Sequence, residues 1–359
     1  MINRLERLRV LLREAELEGA LILGAENRLY LSGFTGSAGV LYVDAHGAFL
    51  LTDGRYATQA REECPGWEVL VKTRVFPEGV AELVKERKIE NLGVEAHILT
   101  WAQWQALTEA LPGIKLIPCR DLVEKLRLIK EPGEIDAIRQ ALALTEEGFR
   151  ALLPELKAGV SEREWALKLE FYLRERGAEE VAFPFIVASG PRSALPHGIA
   201  SGKRIEPGEL VVIDIGIKLG RYCSDFTRTV VVGSPTPWQQ ELYRAILEAQ
   251  QAAIATVRPG IPAKEVDRAA REVLASYGYG PEIFPHSTGH GLGLAVHEAP
   301  RVGEGEETRL EPGMVITIEP GAYLPGQGGI RIEDVVLVTE TGAEVLTTTP
   351  KEELFTIGG

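Results

Sequence analysis

One nine-residue pattern occurs twice in this chain, as Glu-Pro-Gly-Glu-Leu-Val-Val-Ile-Asp at 206–214 and as Glu-Pro-Gly-Met-Val-Ile-Thr-Ile-Glu at 311–319. Each copy leaves a Pro-Gly turn, runs through an apolar stretch rich in β-branched residues, and ends on an acid, Asp214 or Glu319. Other matches keep the same order: Gly159 with Gly260 and Phe183-Pro184 with Phe284-Pro285 upstream, and Asp225 with Glu333 downstream at an offset of 108. Several matches in one order mark a duplicated unit, and such a unit buries its apolar faces against its copy. The second part of the chain is therefore expected to hold two similar halves, each reading helix, helix, then a strand pair that carries two acids.

The first strand pair can be read further. Residues 210–232 form two apolar stretches around Lys218-Leu219-Gly220-Arg221, the pattern of a β-hairpin. A turn centred on Leu219-Gly220 sets Asp214 directly opposite Asp225, with Cβ atoms about 4.5–5.5 Å apart. Two carboxylates that close inside apolar strands repel unless a cation or a shared proton joins them. In the second copy Glu319 ends a strand and Glu333 lies in the next, Gly329–Val338, across a Gly-rich turn. Four acids thus converge. Between the copies, the run 284–300 carries His286, His290 and His297, half of the six histidines, among glycines that permit close backbone approach. Hard carboxylates joined by imidazole suit two divalent ions better than a lone structural zinc.

Length and composition bound the rest. A chain of 359 residues exceeds what single cores usually reach, about 250–300 residues, so two domains are expected. A small α/β domain is read over residues 1–124, where short apolar runs alternate with Gly-, Asn- and Asp-containing breaks, and a second domain over 125–359. The boundary follows from the charged, Pro-Gly-broken segment 121–135 and the helical pattern that begins near Glu134. A formal charge of −13 disfavours nucleic acid and anionic membrane as partners. Three cysteines without CxxC spacing fit a reducing cytoplasm without disulfides. The N-terminal segment, charged every two or three residues, reads as an amphipathic helix rather than a signal peptide or membrane span, and a cytoplasmic location is expected.

The motifs Val-Val-Ile-Asp214, Ser-Asp225-Phe-Thr-Arg-Thr, His286-Ser-Thr-Gly-His290-Gly-Leu-Gly-Leu-Ala-Val-His297-Glu, Thr-Ile-Glu319-Pro-Gly and Gly-Ile-Arg331-Ile-Glu333-Asp resemble those of the pita-bread metallopeptidases. The likeness is closest to the aminopeptidase P and prolidase branch, whose separate N-terminal domain also matches, and Phe183–Gly198 adds to it. The resemblance implies an α+β architecture: a small α/β creatinase/prolidase-like domain followed by a duplicated pita-bread domain. It implies that Asp214, Asp225, His290, Glu319 and Glu333 bind two divalent ions, manganese before cobalt or zinc, with Asp225 and Glu333 shared between them. It makes His197, His297 and Glu319 catalytic, and places His197, His286, His297 and Arg331 against substrate. Tyr222 is read either as orienting Asp225 or as an exposed hairpin residue.

The implied reaction is hydrolysis of the bond between an N-terminal residue and a following proline, in Xaa-Pro dipeptides or longer Xaa-Pro peptides, by a homodimer. The N-terminal stretches Tyr30–Gly39 and Thr52–Tyr56 match the same branch and put Arg55 forward as a contact for a substrate terminus. Two other readings compete: a creatinase-like carbon–nitrogen hydrolase that works without metal, and a catalytically silent peptide- or protein-binding module of this fold. The complete five-residue set argues against both.

Overall fold

The computed structural model describes residues 4–358, so the first three residues of the N-terminal segment and Gly359 lie outside it. Contacts divide the chain into two units between Arg127 and Leu128. Among the described residues no helix is long and apolar enough to cross a membrane.

In the first unit a helix over Arg4–Glu14 buries Leu8 and Leu12, one turn apart on one face. Strand Gly19–Ile22 is buried along its whole length and sits inside a six-stranded mixed sheet, antiparallel to Val40–Asp44 and parallel to Asn91–Glu95. The apolar runs noted in the sequence are these strands, apolar throughout because both sheet faces are covered.

The second unit begins its long helix at Pro132, whose fixed φ suits a first helical position, with a capping box between Glu131 and Glu134. That helix, Pro132–Leu152, and Glu162–Glu175 pack as one pair, and Pro237–Thr256 with Ala263–Ser276 as another. Two larger sheets accompany them: Phe355–Ile357, Phe226–Val232, Leu210–Ile215 and Ile186–Ser189 in one, and Glu298–Val302, Gly289–Gly291, Val315–Ile318, Asp334–Val338 and Ala343–Val345 in the other; smaller sheets pair Ile217–Leu219 with Tyr222–Cys223 and Glu180–Val181, and Gly321–Leu324 with Gly328–Arg331.

The duplication is visible bond by bond. Gly159 N–H donates to Ile205 O at 2.9 Å, and Gly260 N–H donates to Leu310 O at 2.7 Å. The Arg204 guanidinium caps Gly159 O at 2.6 Å, and Arg309 caps Gly260 O at 2.5 Å. In the two Glu-Pro-Gly turns Gly208 and Gly313 have φ of 84° and 90°, which is why glycine recurs there.

The hairpin register differs from the sequence expectation. Asp214 pairs with Thr227 and Ile215 with Phe226, and Lys218 pairs with Cys223, so the turn is Gly220-Arg221 with φ of 56° and 74°. Keeping Leu219 in the strand lets it pack on the apolar core, while Arg221 stays exposed. Asp225 is therefore two pairs along from Asp214 rather than opposite it. It remains on the same face, two residues from Thr227.

In the second copy Ile318 pairs with Asp334 and Gly321 with Arg331, so Glu319 and Glu333 do face each other across the interruption between two ladders. By these registers the counterpart of Glu333 is Thr227, and that of Asp225 is Arg331. The 108-residue match of Asp225 with Glu333 is thus corrected to an alignment two residues shorter, because the two turns differ in length.

Candidate metal centre

The hairpins bring the acids together from two sheets. Asp214, Asp225 and Glu333 each offer a carboxylate oxygen, all within 4.8 Å of one another. His290 closes the fourth side, its Nε2 at 3.3 Å from Glu319 Oε1 and 3.6 Å from Asp225 Oδ2. Glycines flank His290 for a steric reason: a Cβ on Gly289 would lie 1.9 Å from Thr317 O, and one on Gly291 would lie 2.2 Å from Ala299 O. Only glycine lets the histidine strand fit between its neighbours.

Glu333 and Asp225 are buried, to 1% and 5% exposure, and Asp214 and Glu319 are half-buried. Burial and the neighbouring carboxylates, Glu333 foremost, push Asp225 well above the usual carboxylate range. Glu333 is raised well above it too, by burial and then by Glu319 and Asp214. Asp214 is raised by burial, against the opposing charge of Arg331. Glu319 goes the other way. Although burial opposes ionisation, the hydrogen bond and charge of His290 hold Glu319 down at about 2, and the same contact raises His290 despite its burial.

Two oxygens in this cluster, Asp214 Oδ1 and Glu333 Oε1, are buried without a hydrogen-bond partner. Their carboxylate partners are occupied: Arg331 Nη2 donates to Asp214 Oδ2 at 2.6 Å, and Thr227 Oγ1 donates to Glu333 Oε2 at 2.9 Å. Buried acceptors left free beside other carboxylates are what a cation site requires. Four carboxylates and one imidazole, an oxygen-rich set, fit divalent ions of the harder transition metals.

The five residues read as ligands thus lie side by side. Asp214, Asp225, His290 and Glu319 line a cavity of about 630 Å³, as do His197, His286, His297 and Arg331, while Glu333 is buried at 1% exposure. Apolar side chains line it as well: Phe183, Pro184, Ile186, Pro196 and Ile199. The His297 ring stands edge-on to His290, with centroids 4.4 Å apart.

Two residues expected against substrate are committed within the protein. The Arg331 guanidinium donates to Asp214, to Tyr323 Oη at 2.7 Å and to Pro196 O at 3.3 Å, and its residue is 2% exposed. His286 uses both ring nitrogens, Nδ1 with Ser287 O and Nε2 with Tyr323 Oη, each at 2.8 Å. Tyr323 is consequently a bridge, accepting from Arg331 and donating to His286. Tyr222 donates its hydroxyl to Glu134 Oε1 at 2.7 Å, which ties the hairpin to the long helix instead of orienting Asp225. Arg55, in the first unit, forks onto Asp53 and is mostly exposed.

Sequence reasoning passed over Thr227, Tyr323 and Arg301, the last an exposed cavity-lining cation. A signal existed for Thr227. On a strand, the residue two beyond Asp225 shares its face, so Thr227 had to point into the same cluster.

Comparison with known proteins identifies relatives over the whole chain. Residues 136–340 match metallopeptidase family M24, and residues 4–129 match the creatinase/prolidase N-terminal domain. The chain is 43% identical to the Xaa-Pro dipeptidase of Pyrococcus furiosus over 355 residues, which spans 99% of this chain and 100% of that one. Among solved structures, the Xaa-Pro dipeptidase from Bacillus anthracis superposes with a TM-score of 0.96 at 44% identity, covering 99% of each chain. The X-Pro aminopeptidase from Thermotoga maritima gives 0.89 at 39% identity, covering 99% of this chain and 100% of that one. The chain belongs to metallopeptidase family M24, in the pita-bread fold with a creatinase/prolidase N-terminal domain. Membership in that family implies a divalent metal.

Proposed function

We propose that this protein is an Xaa-Pro dipeptidase using two divalent ions, manganese by preference, held by Asp214, Asp225, His290, Glu319 and Glu333. The observation that carries the reading is the carboxylate cluster with its two unpartnered buried oxygens, set at a cavity that apolar side chains also line. Such ions, when bound, supply activation of a water and polarisation of the scissile carbonyl.

The chain's own residues do the remainder. Arg331 holds Asp214 by one oxygen and leaves the other directed at the cluster. Thr227 does the same for Glu333. Glu319, kept ionised beside His290, is ready to accept a proton and pass it to the departing nitrogen. His297, at the cavity wall, donates a hydrogen bond to the carbonyl oxygen as charge develops there. His197, in the same cavity, positions the proline end, and the apolar side chains there receive the pyrrolidine ring.

A bond before proline has no amide N–H, and the ring restricts the preceding residue as well. Proteases that bind substrates as strands lose a hydrogen bond there, whereas an enclosed cavity needs none. Relatives named Xaa-Pro dipeptidase favour the shorter substrate. Arg301 on the cavity wall offers a cation for the free carboxylate that a dipeptide presents close to the scissile bond.

The test compares an Xaa-Pro dipeptide, an Xaa-Pro-Yaa tripeptide and an Xaa-Ala dipeptide with manganese-reconstituted protein. Fast turnover of the first alone supports the reading. Faster cleavage of the tripeptide would make the protein an aminopeptidase P, and turnover of none would reject peptidase activity.

A further inference from the structure

Behind the carboxylate cluster lies a second buried charge system that no step above uses. Arg228 is 0% exposed and Asp334 1% exposed. By the ladder registers they occupy equivalent positions in the two copies, one residue beyond Thr227 and Glu333, with opposite charge. Their strands, Phe226–Val232 and Asp334–Val338, belong to different sheets, and no ladder joins them among the described residues.

One backbone hydrogen bond, from Glu333 N–H to Thr227 O at 3.2 Å, crosses between them, Thr229 Oγ1 bonds the Arg331 backbone, and the Arg228 guanidinium adds a charged bridge. Its Nη1 donates to Thr227 O at 2.9 Å and also to Glu333 O, while Nη2 donates to Asp334 Oδ1 at 2.9 Å and to Thr349 O at 2.6 Å. The two carbonyls bridged by Nη1 belong to the residues whose side chains meet in the cluster through the Thr227–Glu333 hydrogen bond. From the far side Asp334 Oδ2 accepts from Gln250 Nε2 at 2.8 Å and from Lys351 Nζ, and Glu146 fastens Thr348 and Thr349. The C-terminal segment 347–351 thus forms a strap that completes the shell around Arg228.

Buried ion pairs give little net stability compared with apolar packing of the same volume, so retention of this one calls for another reason. Orientation supplies it, because residues that hydrogen-bond to ligands from behind commonly fix ligand geometry. We infer that Arg228 and Asp334, closed by Lys351, are positioning residues that set Glu333 and Thr227 in the geometry the metal centre needs, so that the C-terminal strap governs metal affinity. This rests on the metal reading above.

The experiment strips the full chain with a chelator and titrates it with Co²⁺, following visible absorption, for wild type, Asp334→Asn, Lys351→Met and Leu169→Ala. Lys351 lies at the margin of the network, its side chain 14% exposed, so that variant tests the idea should Asp334→Asn not fold. Leu169 is a fully buried core residue outside the network and serves as a stability control. The expected result is roughly 10–100-fold weaker Co²⁺ binding and an altered visible band in the two network variants. Leu169→Ala should melt at lower temperature with wild-type affinity and spectrum. Network variants that melt lower yet bind Co²⁺ with wild-type affinity and spectrum would overturn the inference and leave the pair a purely structural role. Wild-type protein that takes up no Co²⁺ would overturn the metal reading itself, and this inference with it.

Discussion

Replacing Asp225 by asparagine should make the metal-free protein more stable. Asp225 Oδ lies within 4.8 Å of oxygens from both Asp214 and Glu333. At an effective dielectric constant of about 20, two unit charges at that distance repel by about 3 kcal/mol. Protonation relieves part of this, since Asp225 and Glu333 are both raised well above the usual range, so a gain of about 1–3 kcal/mol is expected at pH 8. The new amide adds a donor beside Asp214 Oδ1 and Glu333 Oε1, the two oxygens without partners. For a unit of this size 1 kcal/mol corresponds to about 2–4 °C in melting temperature. The assay is thermal unfolding of wild type and Asp225→Asn in chelator, repeated with added Mn²⁺. The variant should melt higher without metal, gain little from Mn²⁺, and lose peptide turnover, while wild type gains strongly. A variant that is less stable than wild type in chelator would show that Asp225 is a hydrogen-bonded structural acid, and the argument from charge crowding would fail.

Other outcomes follow from the same geometry. Because Asp225 and Glu333 are raised and bound cations need them ionised, metal binding should release protons. Affinity should fall as pH drops through and below their raised values, and calorimetry in buffers of different ionisation enthalpy reads the released protons. For the metal-free protein the sign is opposite. A carboxyl raised in the folded state contributes stability at acid pH that is lost as pH climbs to its folded value, so Glu333→Gln should narrow the stability difference between pH 5 and pH 8 in chelator melts. Tyr323→Phe leaves Arg331 Nη1 and His286 Nε2 without their shared partner, costing about 1–3 kcal/mol in denaturant unfolding. Arg301→Ala should raise KM for an Xaa-Pro dipeptide about tenfold or more with metal content unchanged, as steady-state kinetics and elemental analysis would show.

Much of this site is legible in the order of residues along the chain, and the reason is periodicity. Asp214 and Glu319 end strands that follow identical Glu-Pro-Gly turns, so the duplication alone predicts converging acids. The register is less legible. Leu219-Gly220 and Gly220-Arg221 are both plausible turn centres from residue types, and only the packing of Leu219 against the core decides between them. The same shift of register hides the equivalence of Thr227 with Glu333 and of Arg228 with Asp334. The direction in which a side chain is satisfied is not legible at all. Arg331 and His286 have the residue types of substrate contacts, yet Tyr323 and Asp214 consume their polar atoms. Asp214 reaches Arg331 from a separate hairpin, and Tyr323, although on the same hairpin as Arg331, reaches His286 across 37 residues of chain, so local spacing does not give these partners.

The central claim is that the carboxylate cluster hydrolyses Xaa-Pro bonds only when it holds its metal ions. The most direct test is dipeptide turnover by chelator-stripped protein as Mn²⁺ is added stepwise. The account predicts no turnover at the start and a rise that levels at about two equivalents per chain, with Asp225→Asn inactive throughout. Full turnover by the stripped protein, or by Asp225→Asn, would contradict it.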